Sequence, residues 1–90
     1  MANKAVNAIT KFENDILPLE INFHDMHRLN SITNAIESNV EDSKTDSKVI
    51  ENLCQAYIEA TKLLPKDQGK KVRSLFRKCE KVVKDPSNWK

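Results

Sequence analysis

Apolar residues recur along most of this chain with the spacing of one helix face. Ala5, Ile9, Phe12 and Ile16 stand at i, i+4, i+7 and i+11, positions that a period of about 3.6 residues brings to the same side. The pattern predicts a first helix over about 3–17, with Asn3 as its N-cap. Pro18 should end it, because a proline ring disfavours helical geometry at the preceding residue, here Leu17. A second stripe of Met26, Leu29, Ile32, Ile36 and Val40 predicts a helix over about 23–40. A third runs through Ile50, Leu53, Tyr57, Ala60 and Leu64 in alternating steps of three and four. It predicts a helix over about 47–64, capped by Asp46 or Ser47 and stopped by Pro65. The fourth, about 67–84, lies within "KDQGKKVRSLFRKCEKVVK" and closes at Asp85-Pro86. Asp67 near its start and Lys78, Lys81 and Lys84 near its end complement the helix dipole. A short tail, 85–90, remains.

Between the first two helices, Leu19, Ile21 and Phe23 alternate with polar residues in "PLEINFH". The run is too short for a strand on its own. It predicts an extended connector whose three apolar side chains seal the core. "EDSKTDS", 41–47, is a polar linker. The connection at Pro65 is short, so helices three and four should form an antiparallel hairpin. Every stripe needs a neighbour to bury it. The class is therefore all-α, and the simplest architecture is a small four-helix, or three-plus-one, bundle spanning residues 1–90 as one domain.

Composition agrees with this picture. Ninety residues with one Gly and three Pro carry too few breakers for a many-stranded sheet. A chain this short buries only about 60–65% of the surface its unfolded form exposes, which leaves little room for a deep substrate cleft. No apolar run reaches the length of a membrane span, and the N-terminal segment lacks the apolar block of a signal peptide. The expected compartment is the cytoplasm, where Cys54 and Cys79 would not make a disulfide framework.

Charge changes the picture more. Residues 1–60 hold five Lys/Arg and ten Asp/Glu, a balance of −5, whereas 61–90 hold ten and three, a balance of +7. On a helical wheel, Val72, Leu75, Phe76, Cys79, Val82 and Val83 of the fourth helix fall within an arc of about 120°. Lys70, Lys71, Arg73, Arg77, Lys78, Lys81 and Lys84 occupy the opposite arc of about 160°. Only Glu80 sits between. With the apolar arc docked, the cations form one ridge. It reads in several ways: as a solvated face, neutralised in part by Glu37, Glu41, Asp42, Asp46, Glu51 and Glu59; as a docking surface for an acidic protein; or as a phosphate contact for nucleic acid. A membrane-surface reading would require the apolar face to leave the core. The exposed face lacks the Asn or Gln of a base-reading helix, and Phe76 points inward, so no aromatic platform for RNA is visible.

Candidate chemistry is sparse. His24 and His27 share a helix face at i, i+3. Cys54 and Cys79 stand singly on other helices and on or beside apolar stripes, where a free Cys acts as a small hydrophobe. Zinc ligation lacks the Cys-x-x-Cys spacing, a Cys–His nucleophile pair would need Cys54 or Cys79 exposed with a lowered pKa, and the cations near Cys79 fall on the other side of the wheel; no glycine-rich phosphate loop exists. Glu13/Asp15 and Glu41/Asp42 are too close in sequence to face one another across a cleft. No metal, no cofactor and no enzymatic activity are expected. Trp89, like the connector residues, should dock onto the bundle; Phe23 and Trp89 become anchors for a partner only if exposed.

The expectation that follows is a small non-enzymatic regulator, inhibitor or adaptor, in size and simplicity like the modulators that bacteriophages and bacteria direct at host proteins. Its basic ridge (Lys70, Arg73, Arg77, Lys78, Lys81, Lys84) would steer an acidic protein partner, with the arginines favoured for bidentate contacts. The alternatives are a nucleic-acid-binding module using the same ridge and a homodimer in which the two oppositely charged halves pair.

Overall fold

The computed structural model describes residues 3–42 and 44–89; Ser43 of the polar linker and Lys90 of the tail lie outside them. Helix α1 (Lys4–Ile16) begins where the Asn3 side chain accepts a hydrogen bond from the Val6 amide at 3.1 Å, which satisfies one of the N–H groups that a helix start leaves without a partner. A 3-10 turn, Leu17–Leu19, carries the chain through Pro18. Helix α2 (Phe23–Glu41) is capped by Asn22, which accepts from the His24 amide. Helix α3 (Ser47–Thr61) is capped by Asp46, which accepts from the Lys48 amide. Helix α4 (Lys66–Val83) follows Pro65, and a second 3-10 turn, Pro86–Asn88, closes the described chain.

One boundary differs from the apolar pattern. The third stripe continues to Leu64, but α3 stops at Thr61. The amides of Lys62, Leu63 and Leu64 bond three residues back, to Glu59, Ala60 and Thr61. The chain tightens there because Pro65 pushes Leu64 out of helical geometry. Leu64 is buried all the same.

The connections are short, so consecutive helices run antiparallel. α1 packs on α4 and α2 on α3, and contacts of α1 with α2 and of α3 with α4 close the ring. Two long-range hydrogen bonds fix the order. Asn3 Nδ2 donates to the Val40 carbonyl at the far end of α2, and Gln68 Nε2 at the start of α4 donates to the Leu19 carbonyl after α1. The result is an all-α four-helix bundle containing the α3/α4 antiparallel hairpin. In its centre Phe12 meets Tyr57 and Phe76 edge-on, with ring centroids 5.5 and 5.3 Å apart, and Tyr57 stacks on Phe76 at 4.2 Å. This three-ring cluster ties α1, α3 and α4 together.

The apolar stripe of α2 faces the core with one addition, and one reading of the connector needs correction. Thr33 is buried, while Met26 and Ile32 are only half-buried. Thr33 lies on the line of Leu29, Ile36 and Val40, and its hydroxyl donates to the Asn30 carbonyl at 3.1 Å, so that hydroxyl is paired where it is buried. The connector splits as well. Leu19 and Ile21 pack against the core, but Phe23 is 79% exposed. Asn22 caps α2, so Phe23 is its first residue and points about 120° away from Leu29 around the helix. Trp89 docks: it is half-buried against the core and its Nε1 donates to the Val83 carbonyl at 2.8 Å.

Candidate partner-binding face

α4 is turned in its seat. Its buried residues are Gly69, Val72, Phe76, Cys79, Glu80 and Val83. The centre of that set lies about 50° around the helix from the centre of the apolar arc, toward Glu80. Gly69 explains the turn. A Cβ there would collide with the Thr61 carbonyl oxygen, so the end of α3 lies against bare backbone. Leu75 and Val82, on the opposite side of the apolar arc, are left half-buried.

The turn divides the cations. Along the edge that meets α3, Arg77 Nη1 donates to Glu80 Oε1 at 3.0 Å, and Lys84 Nζ lies 2.9 Å from Glu80 Oε2. Arg73 Nη1 donates to the buried Thr61 hydroxyl at 3.2 Å. Burial alone would push the Glu80 carboxyl up. The hydrogen bonds and charges of Lys84 and Arg77 outweigh it and hold the group below the ordinary glutamate range. The hydrogen bond to Glu80 in turn raises Lys84. The acids of the other helices read as neutralisers do not pair with α4 among the described residues; Glu59 pairs with Lys62 instead. Neutralisation comes from within α4.

Along the crest and the edge that meets α1, Lys70, Lys71, Lys78 and Lys81 are exposed and form no ion pair among the described residues. Beside them a groove opens between the two helices. Ala8 and Phe12 of α1 and Leu75, Cys79 and Val82 of α4 make its floor, and Lys11, Asp15 and Lys78 its rim. The ridge of seven cations is therefore a strip of four lysines beside an apolar groove, with the three remaining cations held in place by Glu80 and Thr61.

The remaining candidates lie apart from this face. His24 and His27 are exposed at the start of α2, and no group of His, Cys, Asp and Glu that could hold a metal ion occurs among the described residues. Cys54 and Cys79 are buried thiols, pushed up to about 12 mainly by burial; a thiol in that state is a poor nucleophile. Phe23 is exposed, its ring edge-on to that of His24. The antiparallel order places it with the exposed Leu17 and Leu63 at one end of the bundle. No helix of the described residues is long and apolar enough to cross a membrane.

The role of Glu80 and the groove were not read from the sequence. One signal was available: the single glycine falls on the same side of the wheel as Glu80, which marks that side as the one another backbone can approach. No protein-family model, curated protein or solved structure matches this chain.

Proposed function

We propose that this protein is a non-enzymatic regulator, inhibitor or adaptor that binds an acidic protein through the crest and the α1-facing edge of α4. One observation carries the reading. Glu80 pairs with Arg77 and Lys84, and the Thr61 hydroxyl engages Arg73, whereas Lys70, Lys71, Lys78 and Lys81 are exposed and form no ion pair among the described residues, in an arc of about 100°. Such a strip raises the encounter rate with an acidic surface.

The bait for the test is the full chain, beside the variant Lys70→Glu/Lys71→Glu/Lys78→Glu/Lys81→Glu. Each is used in a pull-down from cell lysate, with and without nuclease. The expected result is a protein retained after nuclease and lost with the reversed strip. Capture that vanishes with nuclease would reassign the strip to nucleic acid. Identical capture by both baits would leave the strip as solvated surface.

A further inference from the structure

We infer that the α1/α4 groove is the seat for one apolar side chain of an acidic amphipathic helix supplied by the partner. The inference rests on the proposed function and narrows it to a mode of recognition. The groove, from Ala8 to Asp15 on α1 and from Leu75 to Val82 on α4, runs over two turns of each helix, a length of about 10 Å at 1.5 Å per residue. Its volume is about 170 Å³, and an apolar cavity of about 150 Å³ is large enough for a benzene ring. One Leu or Phe side chain therefore fills it. Leu75 and Val82, half-buried in the bundle, would gain the most from being covered.

The form of the occupant follows from the backbone. The groove is walled by helices whose own N–H and C=O groups are paired internally. An extended peptide lying there would lose water from its backbone groups and find no partner for them. A helix brings its own hydrogen bonds and offers apolar anchors at i, i+3/i+4 and i+7. Its charge follows from the rim. Lys78 borders the groove, and Lys71 lies two turns along the same edge of α4. Lys11 borders it from α1, paired at 3.5 Å to Asp15 by a bridge whose lysine side chain is 79% exposed. Such a surface pair is weak, so Lys11 can turn to a better carboxylate. Flanking acids on the partner helix would meet three lysines and one aspartate.

The probe is a synthetic helical peptide with Leu on one face and Glu on both flanks, titrated into the full chain labelled with 15N. The amides of Ala8, Lys11, Leu75 and Val82 should shift. Replacing the central Leu by Ala, or the flanking Glu by Lys, should each weaken binding at least tenfold. Ala8→Trp, which fills the groove, should do the same; the two peptide changes keep the test decisive if that substitution disturbs α1. Shifts centred on α2 or α3, no shifts, or equal binding of the Lys-flanked peptide would overturn the inference. Shifts that grow when unlabelled chain replaces the peptide would assign the groove to a second copy and overturn it too. The Ala8→Trp chain used as bait separates the two proposals. If it still captures a protein that the lysine-reversed bait loses, the acidic-partner reading stands and the groove inference falls. If the lysine-reversed bait also captures it, the acidic-partner reading falls.

Discussion

The two edges of α4 carry the same residue types in different states. On the edge that meets α3, Arg73, Arg77 and Lys84 close onto Thr61 and the buried Glu80. On the edge that meets α1, Lys71 and Lys78 form no ion pair among the described residues and stand beside an apolar groove. The cause is one missing side chain and one carboxylate. Gly69 lets α3 approach on its side, and Glu80, buried on that side, draws in the exposed cations that compensate its charge. The comparison teaches that a basic arc on a helical wheel overstates the charge available to a partner. How the helix is rotated in its seat decides which cations serve the fold and which remain for binding. It also reverses a preference drawn from side-chain chemistry alone. The arginines are the better bidentate donors, but both already donate within the bundle, and the unpaired cations are lysines.

The largest effect should come from breaking the close edge. Gly69→Ala places a methyl against the Thr61 carbonyl oxygen, a backbone atom that cannot swing aside. A loss of about 2–3 kcal/mol is expected from overpacking, read as a lower urea midpoint at unchanged slope.

Removing the partners of Glu80 should come next. Arg77→Ala/Lys84→Ala leaves a carboxylate that is 7% exposed without its cations. The expected loss at neutral pH is about 2 kcal/mol, below the figure for a fully buried pair because both cations reach water. The pH dependence sharpens this. In the native protein the Glu80 carboxyl lies below the ordinary glutamate range. Its contribution is therefore complete above the pKa it has in the unfolded chain and is lost as pH falls through the folded value. The stability gap between wild type and double variant should shrink on acidification. Glu37 acts in the opposite sense. Burial, with help from Glu13 and Glu41, raises its carboxyl, but it does so in both proteins and cancels in the difference.

The groove edge is sharpened by its floor. Cys79 is 5% exposed, and its thiol is pushed from 9.0 up to about 12, as is that of Cys54. Both should react with a thiol reagent about a thousandfold more slowly than an exposed cysteine at neutral pH, since only the thiolate attacks, and at the ordinary rate in denaturant. Fast labelling of Cys79 in the native chain would mean that the groove opens more deeply than described.

Much of the fold was legible because the signals are local. The spacing of Ala5, Ile9, Phe12 and Ile16, the caps Asn3 and Asp46, and the stops at Pro18 and Pro65 each act within a few residues, and the helices follow them closely. Phe23 was misjudged because the alternation of Leu19, Ile21 and Phe23 outweighed a competing local signal, Asn22 as an N-cap. The face of α4 was legible only by halves. The wheel separates apolar from basic positions, but it does not say which helix lies to either side, and that decides between Lys78 and Arg77. A groove built from Ala8 and Phe12 on one helix and Leu75 and Val82 on another is a property of tertiary placement, and no single stretch of sequence carries it.

If one edge of α4 holds the bundle together while the other is spare, reversing one charge on each edge should have unequal effects. Arg77→Glu and Lys78→Glu are adjacent, both exposed in the native helix, and alter the net charge equally. Urea denaturation of the two variants should show a loss of about 1–2 kcal/mol for Arg77→Glu, which faces a new carboxylate toward Glu80, and a change within about 0.5 kcal/mol for Lys78→Glu. Equal losses, or a larger one for Lys78→Glu, would contradict the division of the ridge.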